Sequence, residues 1–235
     1  MIKDDYKGPL DAVAWPEKLK SRVTSVDSER RIHGYAVESD LAQNYSFAET
    51  ILLALTGELP STEQARAFDV ALNFLAPITV AEAPAHAALI ARICVGTTSA
   101  LTGTGAIGLA EQSRFDLARY EEFVSWLAAP SEVLPTKFMA TSQRDRFRVS
   151  ALRLALTTRQ CVAPKPLALD LDENAAIITV LFACGLRSLP QIEVVRTLAR
   201  LPLVMAEALA APPAGHKDYP LMLPAIRYEE TVSSS

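Results

Sequence analysis

His33, His86 and His216 are the only imidazoles in a chain of 235 residues, so any histidine-mediated proton transfer near neutral pH has to use one of them. His33 stands in "RIHGYAV", where a half-exposed hairpin residue is the favoured role. His86, in "APAHAAL", opens an apolar helical pattern, and a site role and plain packing with one hydrogen bond fit it equally well. His216 lies in the Pro- and Gly-rich "PPAGHKDYP" after the last helical pattern and reads as exposed. Arg144, Arg146 and Arg148 alternate through "QRDRFR". Guanidinium forks match phosphate and carboxylate, which makes the three candidate ligand contacts, while a solvated charged loop accounts for the same pattern. Cys94, Cys161 and Cys184 are odd in number and sit in apolar surroundings such as "ARICVG" and "LFACGL", which reads as buried free thiols rather than a disulfide framework or zinc site. Gly103, Gly105 and Gly108 form a G-x-G-x-x-G spacing. They follow an Ala-rich helical run and not a strand, so close helix packing is the reading and a dinucleotide fingerprint is not. Neither a Walker loop, a nucleophile elbow nor metal-ligand spacing is present.

The elements that must position these residues are helical from Ser46 to Ala211. "SFAETILLALTG" starts with a capping box, Ser46 and Glu49, and stops at Gly57. Phe47, Ile51 and Leu55 recur every fourth position and predict its buried face. After Pro60, Ser61 and Gln64 form a second box, and Ala65, Phe68, Leu72 and Leu75 a second stripe. Residues 84–111 are rich in Ala, Gly and Thr and poor in charge, which predicts a helix buried on most sides at the centre or at an interface. The charged "APSEVLPTKFMATSQRDRFR" interrupts the order before "VSALRLALTT" resumes it, and is the candidate small subdomain or mobile segment. "DENAAIITVLFACGL" gives an apolar helix with acidic residues in its first turn, and Ser188 with Gln191 opens the last helix, which Pro212 stops. Only "SRVTSVDSERRIHGYAV" alternates as a short hairpin does. The expected fold class is all-α with a minor β element. A discontinuous large domain covers 1–129 and 160–235, and a small subdomain covers 130–159.

With 235 residues, half of them apolar, the chain is long enough for one sizeable core or two small ones. With a formal net charge of -4 and 23 scattered Lys and Arg residues, the chain carries no footprint for nucleic acid or an anionic membrane. The N-terminal "MIKDDYKGPL" has no apolar signal region and no later apolar run approaches the roughly 18 residues of a membrane span, so the expected compartment is the cytoplasm.

In "IHGYAVESDLAQNYSFAETILLALTGELPSTEQ", Gly34, Tyr35, Ser46, Phe47, Glu49 and the run Leu55 to Pro60 stand in the order and spacing of the citrate synthase superfamily, which the chain resembles. "APAHAALIAR" and "RTLARLPLVMAEAL" are similar to the citryl-CoA lyase branch. The likeness covers roughly residues 22 to 130 and 163 to 230, and the family's usual length implies a shortened small domain here. It further implies a helical homodimer joined through the large domain, or a hetero-oligomer with an active relative. The implied ligand is CoA, an acyl-CoA or a polycarboxylate, with no covalently bound cofactor and no metal. In the family, one His and one Asp enolise the thioester and a second His activates the acceptor carbonyl, because α-proton removal needs a carboxylate base and a donor for the enolate oxygen.

Residue by residue, the resemblance implies departures. Asp116, or in a shifted alignment Ala106, stands in place of the first histidine. The segment that should carry the second, "LPTKFMATSQRDRFR", has none. Counting back from "FACGL" puts Asn174 in the aspartate's place, and a two-residue slip returns Asp172 to it. His33 takes the place of a frequent family Arg, and His86 fits a lyase-branch feature. The catalytic candidates are therefore Asp172, His33, His86 and Asp116, and the ligand-binding candidates Arg144, Arg146 and Arg148. The expected function is that of a citryl-CoA lyase-like protein with standard catalysis lost or altered, an acyltransferase or carbon–carbon lyase if active. The alternative is a non-catalytic regulatory or structural subunit.

Overall fold

A computed structural model describes residues 18–26, 28–130 and 134–214; His216 lies outside them. The chain divides into two compact units, one ending at Leu59 and the other beginning at Pro60.

The first unit opens with three short antiparallel strands, β1 (Thr24–Val26), β2 (Arg30–Ile32) and β3 (Tyr35–Ala36), in the order β1-β2-β3. Thr24 pairs with Ile32, and Ile32 with Tyr35. The turn between β2 and β3 is His33–Gly34, with φ of 47° and 88°. Two successive positive φ values match the right-handed twist of a two-residue hairpin, and the glycine takes its place there without steric cost. A π-helical turn, Val37–Leu41, leads into α1 (Ala42–Asn44) and then α2 (Phe47–Thr56). Both halves of the capping box form: Glu49 N–H donates to Ser46 Oγ at 3.3 Å, and Ser46 N–H to Glu49 Oε2 at 2.8 Å. The buried residues of α2 are Leu52 and Leu53, whereas Phe47 is 79% exposed, so the expected Phe47–Ile51–Leu55 face is not the buried one. A helix apolar at Ile51, Leu52, Leu53 and Leu55 offers more than one face, and periodicity alone does not choose between them.

The second unit contains α3 (Thr62–Leu75), α4 (Ala83–Ile93), α5 (Thr98–Ala118), α6 (Glu121–Ala128), α7 (Gln143–Thr158), α8 (Glu173–Ala183) and α9 (Leu189–Ala210). α4, α5 and α9 pack on one another around Ala85, Ala88, Leu101, Leu109, Val204 and Ala208. Close approach is real here: a Cβ on Gly105 would lie 3.0 Å from Val204 Cγ1, and one on Gly108 3.2 Å from Pro84 Cα. α5 is nevertheless not enclosed on most sides. Its buried residues are Leu101, Gly105, Leu109, Ser113 and Leu117, a single four-residue stripe, and Ile107 and Phe115 on other faces are 70% and 81% exposed. α8 is the enclosed helix, buried continuously from Ala175 to Phe182 and packed against α3, α6 and α7. α7 begins inside the charged stretch that reads as irregular in sequence, with Ser142 Oγ accepting from Asp145 N–H at 3.0 Å to start it.

The fold is all-α with one small antiparallel sheet. Among the described residues no helix is long and apolar enough to cross a membrane. Cys161 and Cys184 are buried, Cys94 is half-buried, and all three are free thiols. Burial pushes the Cys184 thiol up to about 12, which keeps it a protonated core residue.

Candidate functional site: an arginine-lined cleft

A cleft of about 620 Å³ opens between the C-terminal end of α3, the first turns of α7 and α8, and the middle of α9. Four arginines line it: Arg144 and Arg148 from α7, and Arg196 and Arg200 from α9. Each pair is four residues apart, which puts both members of a pair on one helix face. Glu82, just before α4, and Glu173, at the start of α8, are the lining carboxylates, and each is already held by an arginine. Arg200 Nη1 lies 3.2 Å from Glu82 Oε2, and Arg148 Nη1 is paired closely with Glu173 Oε2. Arg200 is fixed further by donating from Nε to the Leu75 carbonyl at 3.0 Å, and Glu82 accepts from Gln112 Nε2 at 3.1 Å. A second cavity of about 470 Å³ shares Asn73 and Phe74 with the cleft and runs along α3 and α7 to the Arg159–Asp69 pair.

Arg196 is the deepest of the four, only 6% exposed. Its Nη2 donates to Asp116 Oδ2 at 2.6 Å, while its Nε and Nη1 have no partner among the described residues. Burial foremost, then the neighbouring Arg200, lower its pKa, and Asp116, Tyr120 and Glu82 oppose that.

Asp172 is placed otherwise. It is the N-cap of α8, accepting from Ala175 N–H at 2.8 Å, and the Tyr120 hydroxyl donates to both of its carboxylate oxygens at 3.0 and 3.1 Å. Burial raises its pKa, against the bonds from Ala175 and Tyr120 and the charge of Arg119. Its neighbours Glu173 and Asn174 line the cleft, and Asp172 does not. Asp116 is one-third exposed and is committed to Arg196. Arg146 points away from the cleft, donating to Asp170 Oδ2 at 3.1 Å and the Ala140 carbonyl at 3.2 Å. His33 is the hairpin turn residue, with Nε2 3.4 Å from the Ala54 carbonyl, all within the first unit. His86 is exposed near the start of α4.

The structure thus joins Asp116, Arg144 and Arg148 to one cleft and leaves Asp172, His33, His86 and Arg146 off its lining. Arg196, Arg200 and Glu82 are the cleft residues that sequence reading passes over. The available signal was Arg196 and Arg200 four apart on a largely apolar helix, where a buried cation has no place unless something anionic meets it. The described lining contains no imidazole, and its carboxylates are ion-paired. This is an arrangement for holding an anion, and among the described residues no three His, Cys, Asp or Glu side chains are grouped to hold a metal.

No protein-family model matches the chain, and no curated protein matches it. Among solved structures, citryl-CoA lyase from Hydrogenobacter thermophilus aligns with it at a TM-score of 0.61 and 19% identity, over 90% of this chain and 96% of the lyase. The shortening implied by the sequence resemblance is therefore not a shortening relative to that lyase. At this identity the likeness is one of architecture: the chain has a citrate synthase-like fold of the kind found in citryl-CoA lyase.

Proposed function

We propose that the protein holds an acyl-CoA, or the polycarboxylate from which such a thioester is built, in the arginine-lined cleft, with the carbon–carbon bond chemistry of citryl-CoA lyase-like proteins lost or altered. The observation that carries this reading is the contrast within the cleft: four arginines line it, and none of its described residues is a free base or an imidazole. Each missing general acid or base costs on the order of 10²–10⁴-fold in rate, which supports loss or alteration of ordinary turnover in this reading. The continuation of the cleft toward Arg159 supports an elongated ligand with charge at both ends. Residues 130–159, in this reading, are the small domain that covers the ligand, and the protein is cytoplasmic.

A second reading, a non-catalytic subunit that pairs with itself or with an active relative, is favoured by α5. Ile107 and Phe115 are exposed on a helix whose opposite stripe is buried, and large exposed apolar side chains on a core helix suit a subunit contact.

A thermal-shift titration with CoA, acetyl-CoA and a citryl-CoA analogue tests the ligand. A ligand at 100 times its Kd adds about 2.7 kcal/mol of stability, which for a chain of this size is roughly 5–11 °C. A saturable shift supports the CoA reading. No shift from any of the three, in protein shown to be folded, removes it and leaves the subunit reading.

A further inference from the structure

Arg196 is more than nine-tenths buried, faces the cleft, and has two N–H-bearing nitrogens, Nε and Nη1, without an acceptor among the described residues. Buried charged donors are the costliest groups to leave unpaired, and native structures rarely keep them without a reason. Arg200 makes the position costlier still. It lies one helical turn on, lines the same cleft, and its charge acts against that of Arg196. Asp116 answers only one of the Arg196 nitrogens, Nη2. The balance of the whole cleft points the same way: Glu82, Glu173 and Asp116 each take one arginine, and Arg144 has no hydrogen bond or ion pair among the described residues. The site is short of one negative charge, and the shortage coincides with open donors on its floor.

We propose that Arg196, positioned by Asp116, is the specificity-determining residue of the cleft and receives an anionic oxygen group of the ligand, a carboxylate or a phosphate, on its Nε and Nη1 side. The proposal rests on the cleft being a ligand site, as in the function proposed above, and does not require the ligand to be a thioester. Such a residue discriminates by what it leaves unpaired: a ligand without the second acidic group leaves both donors buried and unmet, and is rejected for that reason.

Isothermal titration of the full chain with citrate, succinate and inorganic phosphate tests this, using wild type, Arg196→Lys, Arg196→Met and, as a control, Arg146→Gln. Wild type is expected to bind citrate or phosphate, and the probe that binds identifies the oxygen source. Both Arg196 variants are expected to weaken that binding roughly 10- to 100-fold, the range for losing hydrogen bonds to a charged group. Arg146, outside the lining, should leave it unchanged. Arg196→Met removes the buried charge but leaves Asp116, one-third exposed, without its partner, at a cost in stability. Should it fail to fold, Arg196→Lys decides, since it keeps the charge and removes the fork. Equal affinity in wild type and the Arg196 variants would overturn the proposal. So would the absence of binding of all three probes to wild type, and a CoA-induced thermal shift in that case would leave the proposed function standing alone. Binding of a small anion without any shift from CoA or its esters would do the reverse.

Discussion

Replacing Tyr120 by Phe isolates the contact that decides what Asp172 is for. Tyr120 is fully buried, its ring stacks on Phe138 at 5.8 Å, and its hydroxyl sits between two ionic side chains. It donates to Asp172 and accepts from Arg119 Nη2 at 2.7 Å. Phenylalanine keeps the ring and its packing and removes only the oxygen. The exposed Arg119 side chain can then turn to water, but Asp172 loses a donor while still capping α8, so the cost falls on the carboxylate. A hydrogen bond to a charged group contributes about 1.5–3 kcal/mol, and taking about 2 kcal/mol lowers Tm by roughly 4–8 °C in a chain of this length. Urea unfolding at pH 7 measures the free energy directly. Repeating the substitution in an Asp172→Asn background gives the coupling. The amide still accepts from the hydroxyl but as a neutral group, with a bond of about 0.5–1.5 kcal/mol, so about 1 kcal/mol of the loss should disappear. The same geometry predicts that Tyr120 titrates late in alkali, a signal absent from the phenylalanine variant, because burial first and the Asp172 charge second push it up to about 12. A Tyr120→Phe protein within about 0.5 kcal/mol of wild type, the spread of ordinary neutral substitutions, would refute the view that Asp172 is bound into the start of α8 as a structural group.

Two further outcomes follow from particular contacts. In α5, a Cβ added to Gly103 would meet nothing within 4 Å, so Gly103→Ala should stabilise by up to about 1 kcal/mol through helix propensity. Gly105→Ala and Gly108→Ala should instead destabilise by about 1–2 kcal/mol, because the new methyl meets Val204 or the Pro84 backbone; the same sign at all three positions in chemical denaturation would contradict the packing. Asp172 supplies a pH test. Its pKa is raised in the folded state, chiefly by burial, above the ordinary 3.8. The native state therefore holds that proton more tightly than the unfolded chain does, and the contribution is complete below 3.8 and lost as pH rises through the folded value. Asp172→Asn keeps a good capping group and removes this dependence. Measured as a difference in unfolding free energy, the asparagine variant should gain on wild type as pH rises from below 3.8 through the folded value, and a difference that stays flat or moves the other way would place Asp172 in a less buried setting.

The parts of the fold that could be read from sequence are those fixed within a few residues. Ser46 with Glu49, Ser61 with Gln64 and Ser188 with Gln191 all form the boxes their spacing predicts, because both partners of a cap lie in one turn. His33 and Gly34 form the hairpin turn for the same reason. What failed required knowing a neighbour. The buried face of α2 and the open face of α5 depend on which elements arrive beside them. Arg144, Arg146 and Arg148 of α7 show the consequence for the site. Read as a loop, "QRDRFR" offers all three to a ligand. As a helix from Gln143, it sets Arg144 and Arg148 on one face and turns Arg146 toward Asp170, since residues two apart on a helix do not share a side.

The pair that most changes the reading of the cleft joins residues 80 positions apart, Asp116 and Arg196, and no local pattern could connect them. Taken alone, Asp116 would repel an anion that entered the cleft. Beside a buried guanidinium it has a different sense: it holds the side chain whose Nε and Nη1 stay open. What those donors can do is narrow. Burial lowers the pKa of Arg196, but a guanidinium starts far above the neutral range and keeps its protons under conditions where imidazole exchanges them. It can hold an anion and cannot shuttle a proton. With Glu82 and Glu173 both neutralised by arginines and Asp172 bound to Tyr120, the groups that would bind charge and the groups that would move protons are separated in this chain. Binding is therefore the property from which the function of the cleft should first be measured.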